Sequence, residues 1–266
     1  MATELDPATC VLTCEVSNDG FCYTIIGNNI VRSFANYQFD HAKSSQGFTE
    51  HFRQIISDQP LLADSFLKTY IIYSTPDSVL IPFTLYRSEQ NNDMLSTIHG
   101  DVNKNDIVLT DVLIEEQLYN IYRIKPGIIE TIMEKFPGAL TFHQYTVLVR
   151  QKLKEGNSLL LLIYPRKIVV RAVKNSKIIL INSYDYRVIE DVSYSLLNIC
   201  QLNGLENCQV ILGGLIEKDS AIYKDIHKYF ADVSFAQPEN DFIADPENSD
   251  VPVHYYSSLS GVAACE

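Results

Sequence analysis

Tryptophan is absent, and basic residues are scarce: 21 lysines and arginines stand against 33 aspartates and glutamates, a formal net charge of −12. An acidic surface repels phosphate backbones and anionic lipid, which argues against nucleic acid as a partner. Long hydrophobic runs are also missing. The longest, "SLLLLIYP" from Ser158, has the length of a strand rather than of a membrane span, so no membrane insertion is expected. The start "MATELDPATC" has neither a basic end nor an apolar signal region and reads as cytoplasmic. No CxxC pair occurs. Cys10, Cys14, Cys22, Cys200, Cys208 and Cys265 fall on apolar strand or helix patterns and read as reduced core thiols, with Cys14, Cys22, Cys200 and Cys208 expected to be largely buried and unpaired. The histidines are scattered without a second histidine at metal spacing, and no Ser-x-Gly or Cys-His pairing is visible. No catalytic residue, metal site or cofactor is assigned. His143, at a strand-helix junction, reads as a capping or hydrogen-bonding residue.

Apolar residues make up 46% of the chain, enough for a packed core in one large domain or two modest ones. The N-terminal half opens with three strand patterns, "CVLTCEVS", "FCYTII" and "IVRSFANYQF", joined by turns at Asn18-Asp19-Gly20 and Gly27-Asn28-Asn29. A helix with Phe48, Phe52, Ile55 and Ile56 on one face follows, then the strand "TYIIYS". Ser74-Thr75-Pro76 reads as a cap and first turn opening another helix. The C-terminal half repeats this order: "SLLLLIY", a turn at Pro165-Arg166-Lys167, "IVVRAV", a turn at Lys174-Asn175-Ser176, and "KIILINSYDY". A helix with Ile189, Val192, Leu196 and Cys200 follows, then the strand Gln209–Leu212, Gly213-Gly214 and a helical pattern through Ile222, Ile226, Tyr229 and Phe230. The stretch from Leu118 to Leu153 reads as a linking strand-helix-strand-helix segment. The boundary is placed at Glu155-Gly156-Asn157, giving an N-terminal half over 1–155 and a C-terminal half over 156–266. The stretches Gln90–Asp106 and Pro238–Asp250 read as polar, mobile loops.

Three antiparallel strands, a helix, a strand and a helix is the ribonuclease-H-like order, and two copies in tandem give the actin-like ATPase arrangement. The expected fold is therefore α/β, with two tandem ribonuclease-H-like (βββαβαβ) halves, each holding a five-stranded mixed sheet and facing the other across a cleft. This ground plan, the central segment and the ending "HYYSSLSGVAACE" resemble a family from Bacteroidetes, a domain of unknown function with a degenerate actin-like ATPase fold. The central segment also resembles that of pilus-assembly and type II secretion proteins of the same fold.

The resemblance implies three nucleotide-binding elements: two first-hairpin turns that wrap the phosphates and a strand with two glycines beside the adenosine. Val210 to Gly214 resembles the third. Glu15 stands where the first turn's aspartate is expected, but Ser17-Asn18 follow instead of glycines and hydroxyls, and Asp19-Gly20 reads as a plain hairpin turn. The second turn has no acid, no glycine, and a proline without an N–H. One element in three reads as a lost nucleotide site, and the glycines as letting a helix pack close to the strand end. A nuclease is disfavoured, because "TYIIYS" supplies no carboxylate to join Glu15. The expected function is a non-catalytic module that binds another protein or homodimerises. The alternative is an atypical ATPase or small-molecule kinase with Glu15, Asp19, Gly213 and Gly214 lining the cleft. His254, Tyr255 and Tyr256 read as a C-terminal helix packed on the core or, alternatively, as a partner surface.

Overall fold

The computed structural model describes residues 6–18, 20–39, 45–100, 105–238, 243–244 and 251–265. The chain divides into two compact units, Met1–Val147 with Cys265–Glu266, and Leu148–Ala264.

The first unit begins with β1 (Val11–Val16), β2 (Gly20–Gly27) and β3 (Ile30–Gln38), followed by α1 (Ser45–Asp58) and β4 (Lys68–Tyr73). Next come β5 (Ser78–Pro82), α2 (Asn91–His99), β6 (Ile107–Leu113) and β7 (Leu118–Ile124), and then α3 (Pro126–Lys135), β8 (Leu140–His143) and α4 (Gln144–Arg150), which runs across the division between units. Five strands of this unit pair in the order β3-β2-β1-β4-β8. β1, β2 and β3 are antiparallel, while β4 and β8 add in parallel. The apolar faces of α1 and α3 cover one side: Phe48, Phe52, Ile128 and Ile132 are each at most 1% exposed, packed with Leu12, Cys14 and Ile71.

The second unit runs β9 (Ser158–Ile163), β10 (Lys167–Lys174), β11 (Lys177–Asp185), α5 (Ile189–Asn203), β12 (Gln209–Gly214), α6 (Ala221–Ile226) and β13 (Val233–Phe235). Its sheet has the order β11-β10-β9-β12-β13 and the same alternation of antiparallel and parallel pairs. Central strand β9 is buried along its whole length, hence its unbroken run of leucines. Val192, Leu196 and Ile199 of α5 seal one face.

The two units share fine geometry without shared sequence. Each second hairpin turns through two consecutive left-handed residues, Asn28 (φ 55°) and Asn29 (φ 60°) in one, Asn175 (φ 51°) and Ser176 (φ 61°) in the other. That is the turn whose twist matches a right-twisted ribbon. Each is followed by a β-bulge at the equivalent place, where the register steps over Arg32 and Ile179.

Three sequence expectations are corrected. Pro76-Asp77 opens strand β5, not a helix, because Val79 and Ile81 pair with β7 in a separate antiparallel sheet of order β5-β7-β6. The stretch Gln90–Asp106 carries α2, whose Leu95 is fully buried against Ile81 and Ile121. The segment from Leu118 does not simply link the halves: β7 belongs to this inserted sheet, and β8 pairs with β4 as a full member of the first sheet. Pro238, Ile243 and Ala244 apart, the stretch 238–250 lies outside the described residues.

Candidate functional site

Glu15 lies on β1, opposite Cys22 of β2 and Ile72 of β4. It is 5% exposed, and its Oε1 accepts a hydrogen bond of 3.3 Å from Gln144 Nε2 at the start of α4. Gln144 Oε1 in turn accepts from Ser74 Oγ at 3.0 Å. The β1–β2 turn closes on itself, with Ser17 N–H and Ser17 Oγ both donating to the Gly20 carbonyl at 3.0 and 3.3 Å. Asp19 lies outside the described residues.

The equivalent turn of the second unit, Tyr164 to Lys167, is closed by Tyr164 N–H donating to the Lys167 carbonyl at 3.0 Å. Tyr186 reinforces it twice: its N–H donates to the Arg166 carbonyl at 3.0 Å, and its hydroxyl to the Tyr164 carbonyl at 2.6 Å. Lys167 Nζ sits 5.0 Å from the centre of the Tyr164 ring. Carbonyls and cations therefore dominate this turn. It supplies no carboxylate for Mg²⁺, and Pro165 removes one of the backbone N–H groups a phosphate would need. These residues do not fit a Mg²⁺-nucleotide.

Gly213 and Gly214 are not a turn before a helix. They are the last two residues of β12, paired with Leu162 and Ile163, and α6 starts at Ala221. Gly214 has φ +76°, and a Cβ there would lie 2.5 Å from the Ile163 carbonyl oxygen. At Gly213 a Cβ would meet Leu162 Cδ2 at 2.8 Å and Ser257 Oγ at 3.1 Å. The close neighbours are thus strand β9 and the C-terminal tail, rather than a helix, and they account for both glycines.

That tail forms a 3₁₀ turn over Val253–Tyr255, a short helix α7 (Ser257–Ser260) and a second 3₁₀ turn over Gly261–Cys265. His254 and Tyr256 are 7% and 2% exposed. His254 Nε2 lies 2.7 Å from the Ile216 carbonyl, which requires the proton on Nε2, and its ring stacks on Phe235 with centroids 4.2 Å apart. Burial holds His254 below the ordinary imidazole pKa. Tyr255, partly exposed, donates its hydroxyl to Glu217.

Sequence reasoning missed a polar cluster in the first unit. Asp111, in β6, accepts three hydrogen bonds: from His143 N–H at 2.7 Å, Thr146 Oγ1 at 2.6 Å and the Tyr122 hydroxyl at 2.9 Å. Behind it a directional chain runs from Ser78 to Asn120 to Thr146, with donor-acceptor distances of 2.6 and 3.0 Å. Nδ1 of fully buried His143 accepts Tyr145 N–H at 3.0 Å, so Nε2 carries the proton and donates to the Thr75 carbonyl at 3.0 Å. Burial raises the Asp111 pKa although all three donors pull it down. The cluster joins the inserted sheet to β8 and α4. Its sequence signal is slight: Asp111 and Asn120 are among the polar residues that interrupt "IVLTDVL" and "LYNIYRI". Among the described residues, no three histidines, cysteines or carboxylates are grouped to hold a metal ion.

The family model described as "Protein of unknown function (DUF3822)" matches residues 3–233. The chain belongs to this family. No curated protein matches it. Among solved structures, the DUF3822 chain is similar to a Bacteroides thetaiotaomicron protein with an actin-like ATPase fold and unknown function, at 19% identity and a TM-score of 0.74 over 90% of this chain and 96% of that one. It is also similar to the PilM-PilN type IV pilus biogenesis complex, at 8% identity and a TM-score of 0.61 over 98% and 100% of the two chains. The cytoplasmic domain of EpsL from the type II secretion system of Vibrio cholerae follows at 12% identity and a TM-score of 0.47 over 96% and 95%, too low to carry weight. The fold is the actin-like ATPase fold, with two sheet-and-helix lobes of ribonuclease-H-like order. Among the described residues, no helix is long and apolar enough to cross a membrane.

Proposed function

We infer that this protein is a non-catalytic member of the actin-like fold that works in the cytoplasm by binding another protein or a second copy of itself. The observation that carries this reading is the Tyr164–Lys167 turn, where the Tyr164 N–H is spent on the Lys167 carbonyl, Pro165 has no N–H to offer a phosphate, and no carboxylate is present for Mg²⁺. Buried Glu15, bonded to Gln144, adds support from the other unit. A neighbour of the same fold, PilM, is known in a complex with PilN, so the fold is compatible with partner binding. The inserted sheet supplies a candidate contact surface. β5, β6 and β7 meet at one end, where Pro82 and Leu113 both pair with Leu118. Just beyond or beside those pairs, Leu85, Val112 and Ile114 are 63%, 50% and 70% exposed.

The test has two arms. Isothermal titration of the purified protein with ATP and Mg²⁺ should give no binding at micromolar concentrations, and Glu15→Gln should retain biological activity in the native cell. In the same cell, Leu85→Ser with Ile114→Asp should fold normally yet lose the affinity-purified partner or the self-association. Micromolar ATP binding that disappears in Glu15→Gln would overturn this reading in favour of an atypical ATPase or kinase.

A further inference from the structure

None of the six cysteines is in a disulfide, but Cys200 and Cys208 touch. Cys200 lies in the last turn of α5, Cys208 immediately before β12, and their sulfurs are 3.5 Å apart. The chain between them doubles back tightly. Gly204 ends α5 in the left-handed conformation at φ 60°, Leu205 N–H donates to the Cys200 carbonyl at 2.9 Å, and Asn207 is left-handed at φ 51°. The pair differs in access. Cys208 is 5% exposed within the core, whereas Cys200 is partly exposed. Cys200 is thus the more exposed residue of the touching pair. Burial drives the thiols of Cys14 and Cys22 well above the ordinary range and leaves them inert. At the touching pair the sulfurs are within hydrogen-bonding reach, and either can donate its S–H to the other.

We propose that Cys200 and Cys208 form a peroxide-reactive dithiol that closes to an intramolecular disulfide on meeting a hydroperoxide. The Cys200 sulfur attacks one oxygen of the hydroperoxide while its proton passes to the departing oxygen. The O–O bond breaks, Cys200 becomes a sulfenic acid, and the other oxygen leaves as an alcohol, or as water when the oxidant is hydrogen peroxide. The Cys208 sulfur then attacks that of Cys200. The S–O bond breaks, and hydroxide leaves with the Cys208 proton as water. Two thiols lose two electrons and two protons, and the hydroperoxide is reduced to an alcohol and water. Closure requires the sulfurs to approach to about 2 Å, a movement open to a side chain in a terminal helical turn. The buried partner lies close enough to intercept the sulfenic acid before a second peroxide does.

The experiment treats the reduced full-length protein with stoichiometric hydrogen peroxide and maps its peptides without reductant. The expected result is a Cys200–Cys208 cross-link, a thiol titre that falls from six to four, and recovery with dithiothreitol. In Cys208→Ala, dimedone should trap a sulfenic acid on Cys200, and no cross-link should form. Six thiols persisting at doses that oxidise glutathione would overturn the proposal, as would a cross-link joining other cysteines or a dimedone adduct on Cys208. Should Cys208→Ala fail to fold, the wild-type map decides alone.

Discussion

Replacing Gly214 with alanine tests directly whether the two glycines of β12 serve packing. Three costs coincide at this position. Gly214 is left-handed at φ +76°, which costs an alanine about 1–2 kcal/mol. The new methyl group would stand 2.5 Å from the Ile163 carbonyl oxygen and 2.8 Å from the Ile163 nitrogen. Both are backbone atoms of central strand β9, so relief requires the sheet itself to move, at about 1–3 kcal/mol. The same Ile163 carbonyl accepts the Leu215 N–H at 2.8 Å, and the intruding methyl group displaces that bond, at about 1 kcal/mol. Together Gly214→Ala should cost about 3–6 kcal/mol, a large part of the roughly 5–15 kcal/mol of a typical domain. Gly213→Ala provides the control. Its nearest neighbours are side-chain atoms, Leu162 Cδ2 at 2.8 Å and Ser257 Oγ at 3.1 Å, which can shift, so about 1–2 kcal/mol is expected. Urea unfolding of both variants measures the difference, and the melting temperature of Gly214→Ala should fall by on the order of 10 °C. A Gly214→Ala protein within about 1 kcal/mol of wild type, or one more stable than Gly213→Ala, would refute the packing argument.

Arg171 is 6% exposed and donates to the carbonyls of Leu148 at 2.7 Å and Gln151 at 3.2 Å, so Arg171→Met should lose about 2–4 kcal/mol by stranding the last turn of α4, read from the urea midpoint. Asp111 holds its proton to higher pH in the folded state than in the unfolded one, because burial raises its pKa. Its contribution is therefore complete below the ordinary carboxylate pKa and lost as pH rises through the raised value. Between about pH 3 and pH 7, wild type should lose stability relative to Asp111→Asn, and a difference flat across that range would contradict this. His254 has the opposite sign: its folded pKa is depressed, so its contribution is present above about pH 6.5 and lost as pH falls through the folded value. The protection of residues 253–265 against hydrogen exchange, taken relative to the intrinsic rate at each pH, should fall between about pH 7.5 and pH 5.5 in wild type, and less so in His254→Gln, whose side-chain amide can still donate to the Ile216 carbonyl.

Local signals carried the repeated core. The turns at Asn28-Asn29 and Asn175-Ser176 need only residues that tolerate positive φ, and the faces of α1 and α5 need only helical periodicity; both are decided within a few residues. The order βββαβαβ and the degenerate second turn followed from those pieces. Wherever a side chain's partner lies far along the chain, local reading went astray. Ser74-Thr75-Pro76 has the composition of a helix start, but the Ser74 hydroxyl bonds Gln144 and the Thr75 hydroxyl bonds the Arg123 carbonyl at 3.1 Å, and strand pairing with β7 takes the following residues. Asp111 and His143 look unrelated in the sequence and share one hydrogen bond in the fold. The contact between Cys200 and Cys208 depends on the tight reversal between α5 and β12. Gly213-Gly214 was legible as a place where a side chain is unwelcome. That the crowding comes from Ile163 and Ser257 was settled only by the parallel register of β9 with β12 and by the folded tail, because steric exclusion acts between atoms close in space, whatever their separation in sequence.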